Sequence, residues 1–469
     1  MQRRTAEVLV LGGGPAGCAA ARLLAQWGHD VELVTREPSA SPLPESIPPS
    51  CGKLFDVLGV RDAIDSGGFE RTTGNSVWWG SGDLRVEHFA GGERGWQVTA
   101  QALESILQNA ARAAKVRIRC ERITLDSIPT DPAFVLDCTG RTGLIARSRG
   151  WREPESDRRT VALVASWRPP APWPIPDSTH TVLESYADGW AWSVPSPNGH
   201  RFVTIMVDPR TSDLAKGESA RNVYLAEIAK TARFAQLLEH ASISGGPWGW
   251  DCSMYGSTRY ADDNVLIAGD AGSFIDPLSS IGVKKALASG WLAAVATHTA
   301  LIRPVMRATA LDFFAAREAE VYHSFRSLTM QYLASVAAAH ANPFWTDRAG
   351  AVDREAIDDQ AAVAAAFEDI RSAESIVLQR APGLKIEDRP AVSGSEIVLE
   401  PRIVTASEPA GVRYISDVDI LAMIELAPSH QHVPDLFEAY NRRRAPVSLP
   451  DFLTALATAV ARGFLVTAR

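Results

Sequence analysis

The chain has 469 residues, 46% of them hydrophobic and 22% charged, enough for two or three packed domains around a large core. A formal net charge of −8 excludes a nucleic-acid binder built on a basic face, and no apolar run reaches the length of about 18 residues that a bilayer span needs. The five cysteines, Cys18, Cys51, Cys120, Cys138 and Cys252, lack metal-ligand spacing and are odd in number, which points to free thiols in a reducing, cytoplasmic setting.

Met1 to Arg4 run straight into an apolar strand. Cleavage of a leader at the usual distance would destroy the glycine pattern at Gly12, so Met1 is expected to be the mature N-terminus. Glu7 to Leu11 reads as a strand, Gly12-Gly13-Gly14-Pro15-Ala16-Gly17 as a tight turn, Cys18 to Gln26 as a helix stopped by Gly28, and Val31 to Val34 as a second strand. In this order the glycines have separate tasks. Gly12 permits the turn, Gly14 lets main chain approach a pyrophosphate, and Gly17 lets the helix pack closely; the free amides of the helix that opens at Pro15, from Ala16 onward, receive the phosphate charge. Such sites carry an acid about 20 residues on to hold ribose hydroxyls. Here Thr35 stands there, flanked by Arg36 and Glu37; its hydroxyl can bond a ribose without charge assistance.

Phe134 to Arg141 reads as a further strand ending in a small-residue turn with Gly140. Asn264 to Gly272 reads as another, ending in Gly269-Asp270, followed by Phe274-Ile275-Asp276-Pro277-Leu278-Ser279-Ser280-Ile281-Gly282 and a helix from Val283. An Asp at a strand end suits a ribityl hydroxyl, and a helix start after Pro277, Ser280, Gly282 and Val283 suits the carbonyls of a flavin ring. The expected cofactor is therefore FAD.

On Gly12 to Gly17, Asp137 to Arg141, Gly269-Asp270 and Asp276-Pro277, the chain resembles FAD-dependent monooxygenases of the p-hydroxybenzoate hydroxylase fold over about residues 5–350. Glu45-Ser46-Ile47-Pro48-Pro49-Ser50, Gly189-Trp190-Ala191-Trp192-Ser193-Val194-Pro195, and Pro343-Phe344-Trp345 before Arg348 place the resemblance in the flavin-dependent halogenase-like branch. There the WxWxxP segment lines the channel between flavin and substrate. Two departures count against halogenation. The stretch Gly68 to Trp79 lacks the lysine that such halogenases use to capture hypohalous acid, Lys53 lying too early, and Ile281 replaces a small hydroxyl residue before the glycine of the halide site. Thr139 stands where single-component hydroxylases carry an Asp before Gly140, and Ala100 where an arginine often meets FAD; the electron donor stays open between NAD(P)H and a flavin reductase.

The resemblance implies aromatic hydroxylation by molecular oxygen through a C4a-hydroperoxyflavin, the protein supplying a water-excluding aromatic pocket. Among Trp78, Trp79, Trp96, Trp190, Trp192, Trp248 and Trp250, the pair Trp190 and Trp192 is the pocket candidate, because alternate strand residues share a face. Glu45 is the candidate base, with His88 and His180 as alternatives. Lys284 and Lys285 either face solvent or steady a flavin oxygen.

The expected fold is α/β: a Rossmann-like FAD domain (1–67, 98–160, 251–310) with an inserted β-sheet substrate domain (68–97, 161–250). A helical extension (311–380), a linker (381–396) and a small winged-helix-like α+β domain (397–469) follow. The last is equally open to being a dimerisation or packing appendage; without a basic recognition helix it is not expected to bind DNA. An appended peptide-holding domain together with the lost lysine resembles the flavoprotein maturases of quinone-containing amine dehydrogenases, which implies a partner polypeptide whose tryptophan side chain is hydroxylated during cysteine tryptophylquinone biogenesis. The alternatives are a small-molecule aromatic hydroxylase or atypical halogenase, and a non-catalytic flavoprotein chaperone. No membrane or nucleic-acid partner is expected.

Overall fold

The computed structural model describes residues 6–36, 44–80, 82–155, 158–170, 172–196, 199–349, 354–373 and 375–467. Met1 to Arg4 and Glu37, on which the N-terminal and ribose expectations partly rested, lie outside them. Two compact units divide the chain, 1–352 and 353–469.

In the first unit a six-stranded sheet runs in the order Ala261–Asp262, Val265–Ile267, Phe134–Asp137, Val8–Leu11, Val31–Thr35, Arg117–Cys120. The pairs are parallel except at the Ala261–Asp262 edge. Val8–Leu11 is central and buried throughout, as a strand covered on both faces must be. The helix Pro15–Gln26 leaves its carboxyl end and packs on the long helix Gly282–Ile302. Contact is close at Gly290, where a Cβ would stand 2.1 Å from the Ala16 carbonyl oxygen.

A seven-stranded sheet holds Ser242–Asp251, Val161–Arg168, His200–Val207, Gly189–Ser196, Thr181–Tyr186, Gly74–Trp78 and Arg85–His88, in that order. Its pairs are antiparallel apart from Thr181–Tyr186 with Gly74–Trp78. Period-2 alternation sorts the side chains. Leu163, Ala165, Val203, Ile205 and Val207 pack with Tyr224, Ile228 and Phe234 of two short helices. Ala162, Val164, Leu183, Trp190 and Phe202 form the opposite face with Trp345. Arg201, fully buried, ties these strands down: Nε donates to Ser193 Oγ (2.8 Å), Nη1 to Ser178 O (2.8 Å) and Nη2 to His180 O (2.5 Å). A three-stranded sheet, Pro44–Ile47, Gly95–Thr99, Glu70–Thr72, is joined to it by Thr181 Oγ1 donating to Ser46 Oγ (3.2 Å).

The second unit contains the helix Arg354–Ser372, a hairpin of Lys385–Ser393 with Glu396–Val404, three helices (Ile420–Leu426, Val433–Arg443, Leu449–Ala461) and the strand Leu465–Thr467 paired with Leu378–Arg380. Its core gathers Ile403, Met423, Tyr440, Phe452 and Leu456. Two expectations are corrected here. Residues 381–396 are not a linker: Lys385–Ser393 is a strand with nine register partners. Pro382-Gly383 precede the hairpin and Gly394 sits at its turn, while Pro390 pairs with Leu399 inside the strand. The helix Arg354–Ser372, expected in the extension, packs with the tail through Ala366 and Ile370. Among the described residues no helix is long and apolar enough to cross a membrane, and no cluster of His, Cys, Asp or Glu could hold a metal ion.

Candidate active site

The glycine turn meets each backbone demand of a phosphate cradle. Gly12 has φ +105°, and a Cβ there would lie 2.2 Å from Cys138 O; at Gly17 a Cβ would lie 1.9 Å from Gly12 O. Only glycine fits either place. A Cβ on Gly14 meets nothing within 4 Å, so open space faces the start of the helix, as an anion requires. Gln108, from the helix Ala100–Ala113, donates Nε2 to Gly13 O (3.2 Å) and braces the turn. Thr35 is buried, its hydroxyl donating to Arg36 O (3.1 Å) and standing 2.6 Å from where a Gly13 Cβ would be, while Arg36 is exposed. Ala16 faces Gly290 and Gly269, so it serves helix packing. Gly140 (φ +62°) and Gly269 (φ +64°) turn the ends of their strands; the Gly269 amide donates to Ser289 Oγ (2.7 Å).

A cleft of about 440 Å³ opens beside this turn. One wall is the sheet face, with Trp190, Trp192, Leu183 and Phe202; the other brings Pro15, Asp270, Pro277, Ser280, Gly282 and Val283 together. Glu45 reaches it from the strand Pro44–Ile47. Sequence order scatters these residues over more than two hundred positions, and the sheets bring them to one place. Trp190 and Trp192 stack at 4.8 Å between centroids, 27° apart. Trp190 is fully buried and its indole N–H has no partner, whereas Trp192 is half-buried.

Glu45 is half-buried, and desolvation raises its carboxyl from the ordinary 4.5 to about 7, with Asp270 and Glu104 adding repulsion. Asp276, buried, caps the turn Pro277–Ser279 through the Leu278 amide (3.0 Å); burial raises it to about 6. Lys285 turns inward, donating Nζ to Ser273 O (2.5 Å) and pairing with Asp270 Oδ1 (3.4 Å). Of the two sequence readings for this lysine, solvent exposure is thereby ruled out.

Other candidates lie elsewhere. His180 is buried between Thr73 (2.8 Å), Ser76 (3.0 Å) and Asp177 (3.3 Å), and burial lowers its pKa; His88 is exposed and packs edge-on against it. Trp96 sits between Arg61 and Arg71 and donates to Asp65 (2.8 Å). Trp345 is sealed in the core, donating to Tyr186 O (2.9 Å), and Arg348 pairs with the buried Asp208 (3.0 Å). The aromatic segment at 343–345 is thus a structural prop behind Trp79, which it meets edge-on at 5.6 Å.

Besides the wall residues Leu183 and Phe202, sequence reading missed Arg141, Cys252 and Phe274 as participants in the cleft. Arg141 stacks on Phe274 (4.1 Å) and donates to Cys252 Sγ (3.7 Å). Its position directly after Gly140, at a strand end turning toward a ligand crevice, was the available signal.

This fold and cradle define an FAD-binding protein. The FAD binding domain family matches residues 5–135 and the tryptophan halogenase family residues 123–381. The chain belongs to the tryptophan halogenase family, and its cofactor is FAD. A flavin-dependent halogenase of Armillaria mellea is 27% identical over 64% of this chain and 66% of its own length. A tryptophan 2-halogenase of Chondromyces crocatus is 26% identical over 66% and 64%. The chain thus spans just under two thirds of those two curated relatives. The same fold occurs in the solved flavin-dependent halogenase CmlS (TM-score 0.79, 18% identity, 99% of this chain and 96% of that one). It occurs too in a solved peptidyl tryptophan dihydroxylase essential for tryptophylquinone cofactor biogenesis (TM-score 0.63, 20% identity, 93% and 95%).

Proposed function

We propose that this flavoprotein is a monooxygenase that hydroxylates an aromatic ring of about indole size. The observation that carries the reading is the composition of the cleft: stacked Trp190 and Trp192, the protonatable Glu45, and, among the described lining residues, no lysine. FAD, when bound and reduced, supplies oxygen activation; its electrons come from NAD(P)H or a flavin reductase. Trp192 and Phe202 hold the ring by face and edge contacts. The apolar wall keeps water out. Glu45, as the carboxylate, takes the ring proton that leaves when oxygen is added, a task suited to a group titrating near neutral pH. The turn shaped by Gly12, Gly14 and Gly17 presents the helix-start amides to the nucleotide phosphates, and Asp270, steadied by Lys285, meets the sugar chain.

A finer version puts the ring on a tryptophan side chain of a partner polypeptide, on the way to cysteine tryptophylquinone. Its support is the shared fold with the peptidyl tryptophan dihydroxylase across both units. Halogenation is the second reading, favoured by the names of the relatives. Turnover of an aromatic substrate with and without chloride and bromide separates the two. Hydroxylation predicts equal product formation in halide-free buffer; product that appears only with halide would replace this reading by the second.

A further inference from the structure

We propose that Arg141 is the anion anchor of the cleft and that the substrate is an aromatic acid, its carboxylate received by this guanidinium while the ring lies on the tryptophan wall. The inference rests on the aromatic reading above and narrows it. Among the described residues that line the cleft, Arg141 is the only basic one. It is half-buried, its planar face lies 4.1 Å from the Phe274 centroid, and its side chain has one hydrogen bond, a long one to the Cys252 thiol (3.7 Å). Burial pushes that thiol up to about 11, so it stays protonated and offers no negative charge.

Among the described residues Arg141 makes no ion pair, unlike Arg348 with Asp208 (3.0 Å). Asp251, whose carboxyl feels the Arg141 charge, already accepts the Ser253 amide (2.8 Å), and Asp276 accepts the Leu278 amide (3.0 Å). A second guanidinium, Arg152, donates to Arg141 O (2.8 Å) and raises the positive charge at this spot. A fork of N–H donors stacked on an aromatic ring in a half-dry cleft, with its carboxylate neighbours engaged, is built for a planar oxyanion. An unpaired charge there is otherwise costly.

Two sources could supply the oxyanion, the substrate carboxylate or the FAD pyrophosphate, and the test separates them. The full-length, FAD-loaded protein is titrated with N-acetyltryptophan and N-acetyltryptophanamide, and with phenylacetate and phenylacetamide; FAD affinity is measured in parallel. The wild type is expected to prefer each acid over its amide by about tenfold or more, as charge-assisted bidentate bonds imply. R141M should abolish the preference with amide binding and FAD affinity unchanged, and R141K should restore part of it. Equal binding of acid and amide by the wild type, or tighter binding of the amide, would overturn the inference and leave the aromatic reading standing, the second outcome in its polypeptide version. A loss of FAD affinity in R141M with the acid preference intact would assign the guanidinium to the pyrophosphate and overturn it too. Failure of every probe to bind the wild type would remove the aromatic reading along with it.

Discussion

Glu45 carries the sharpest consequence at the scale of single residues. Its carboxyl, raised to about 7 by burial first and by Asp270 and Glu104 next, is competent as a base only when ionised. The rate of ring hydroxylation is therefore expected to rise with pH through about 7 and then level off. Glu45→Gln should lower kcat by about a hundredfold or more, flatten that limb and leave FAD content unchanged. A wild-type profile flat across this range would deny Glu45 the role. Gly14 offers an independent check on the cradle. Because a side chain there enters open space, Gly14→Leu should keep the thermal transition of the apoprotein while abolishing the yellow colour of bound flavin. Gly12→Ala meets Cys138 O at 2.2 Å and should lower the transition itself. The glycines were legible in sequence because each answers a local backbone demand. Arg141, Cys252 and Gln108 were not, since their partners are fixed by which strands end side by side.

Among the elements, the helices Gly282–Ile302 and Arg307–Ala337 meet around a buried acid. Glu318 bonds the Ser289 hydroxyl, which accepts the Gly269 amide, so the carboxyl lies two hydrogen bonds behind the Gly-Asp turn. Desolvation raises it from 4.5 to about 7. A folded value above the unfolded one means that stability is intact below about pH 4.5 and is lost as pH rises to about 7, by about 3 kcal/mol in all. Glu318→Gln cannot ionise, so its thermal transition should fall less than that of the wild type between about pH 5 and about pH 8; parallel curves would contradict this. The strand alternation that puts Trp190 and Trp192 on one face was plain in the sequence. The hairpin strand Lys385–Ser393 was not, because its Pro390 and flanking Gly383 and Gly394 mimic a linker, and only pairing with Glu396–Val404 gives it structure.

For the whole molecule, sequence pattern sufficed to place an FAD domain and an inserted sheet, because parallel strands followed by glycine turns are a local signal. It could not place the boundary of the second unit, which falls between 352 and 353 since the helix Arg354–Ser372 buries its apolar side against residues up to a hundred positions later. Family membership points to a flavin cofactor, and the proposed reading of the cleft favours hydroxylation over halogenation. Turnover under isotopically heavy oxygen gas, with chloride and bromide both present, tests that division most directly. The account predicts an aromatic product one heavy oxygen atom richer and free of halogen. A product bearing chlorine or bromine, with no heavy oxygen retained, would contradict it.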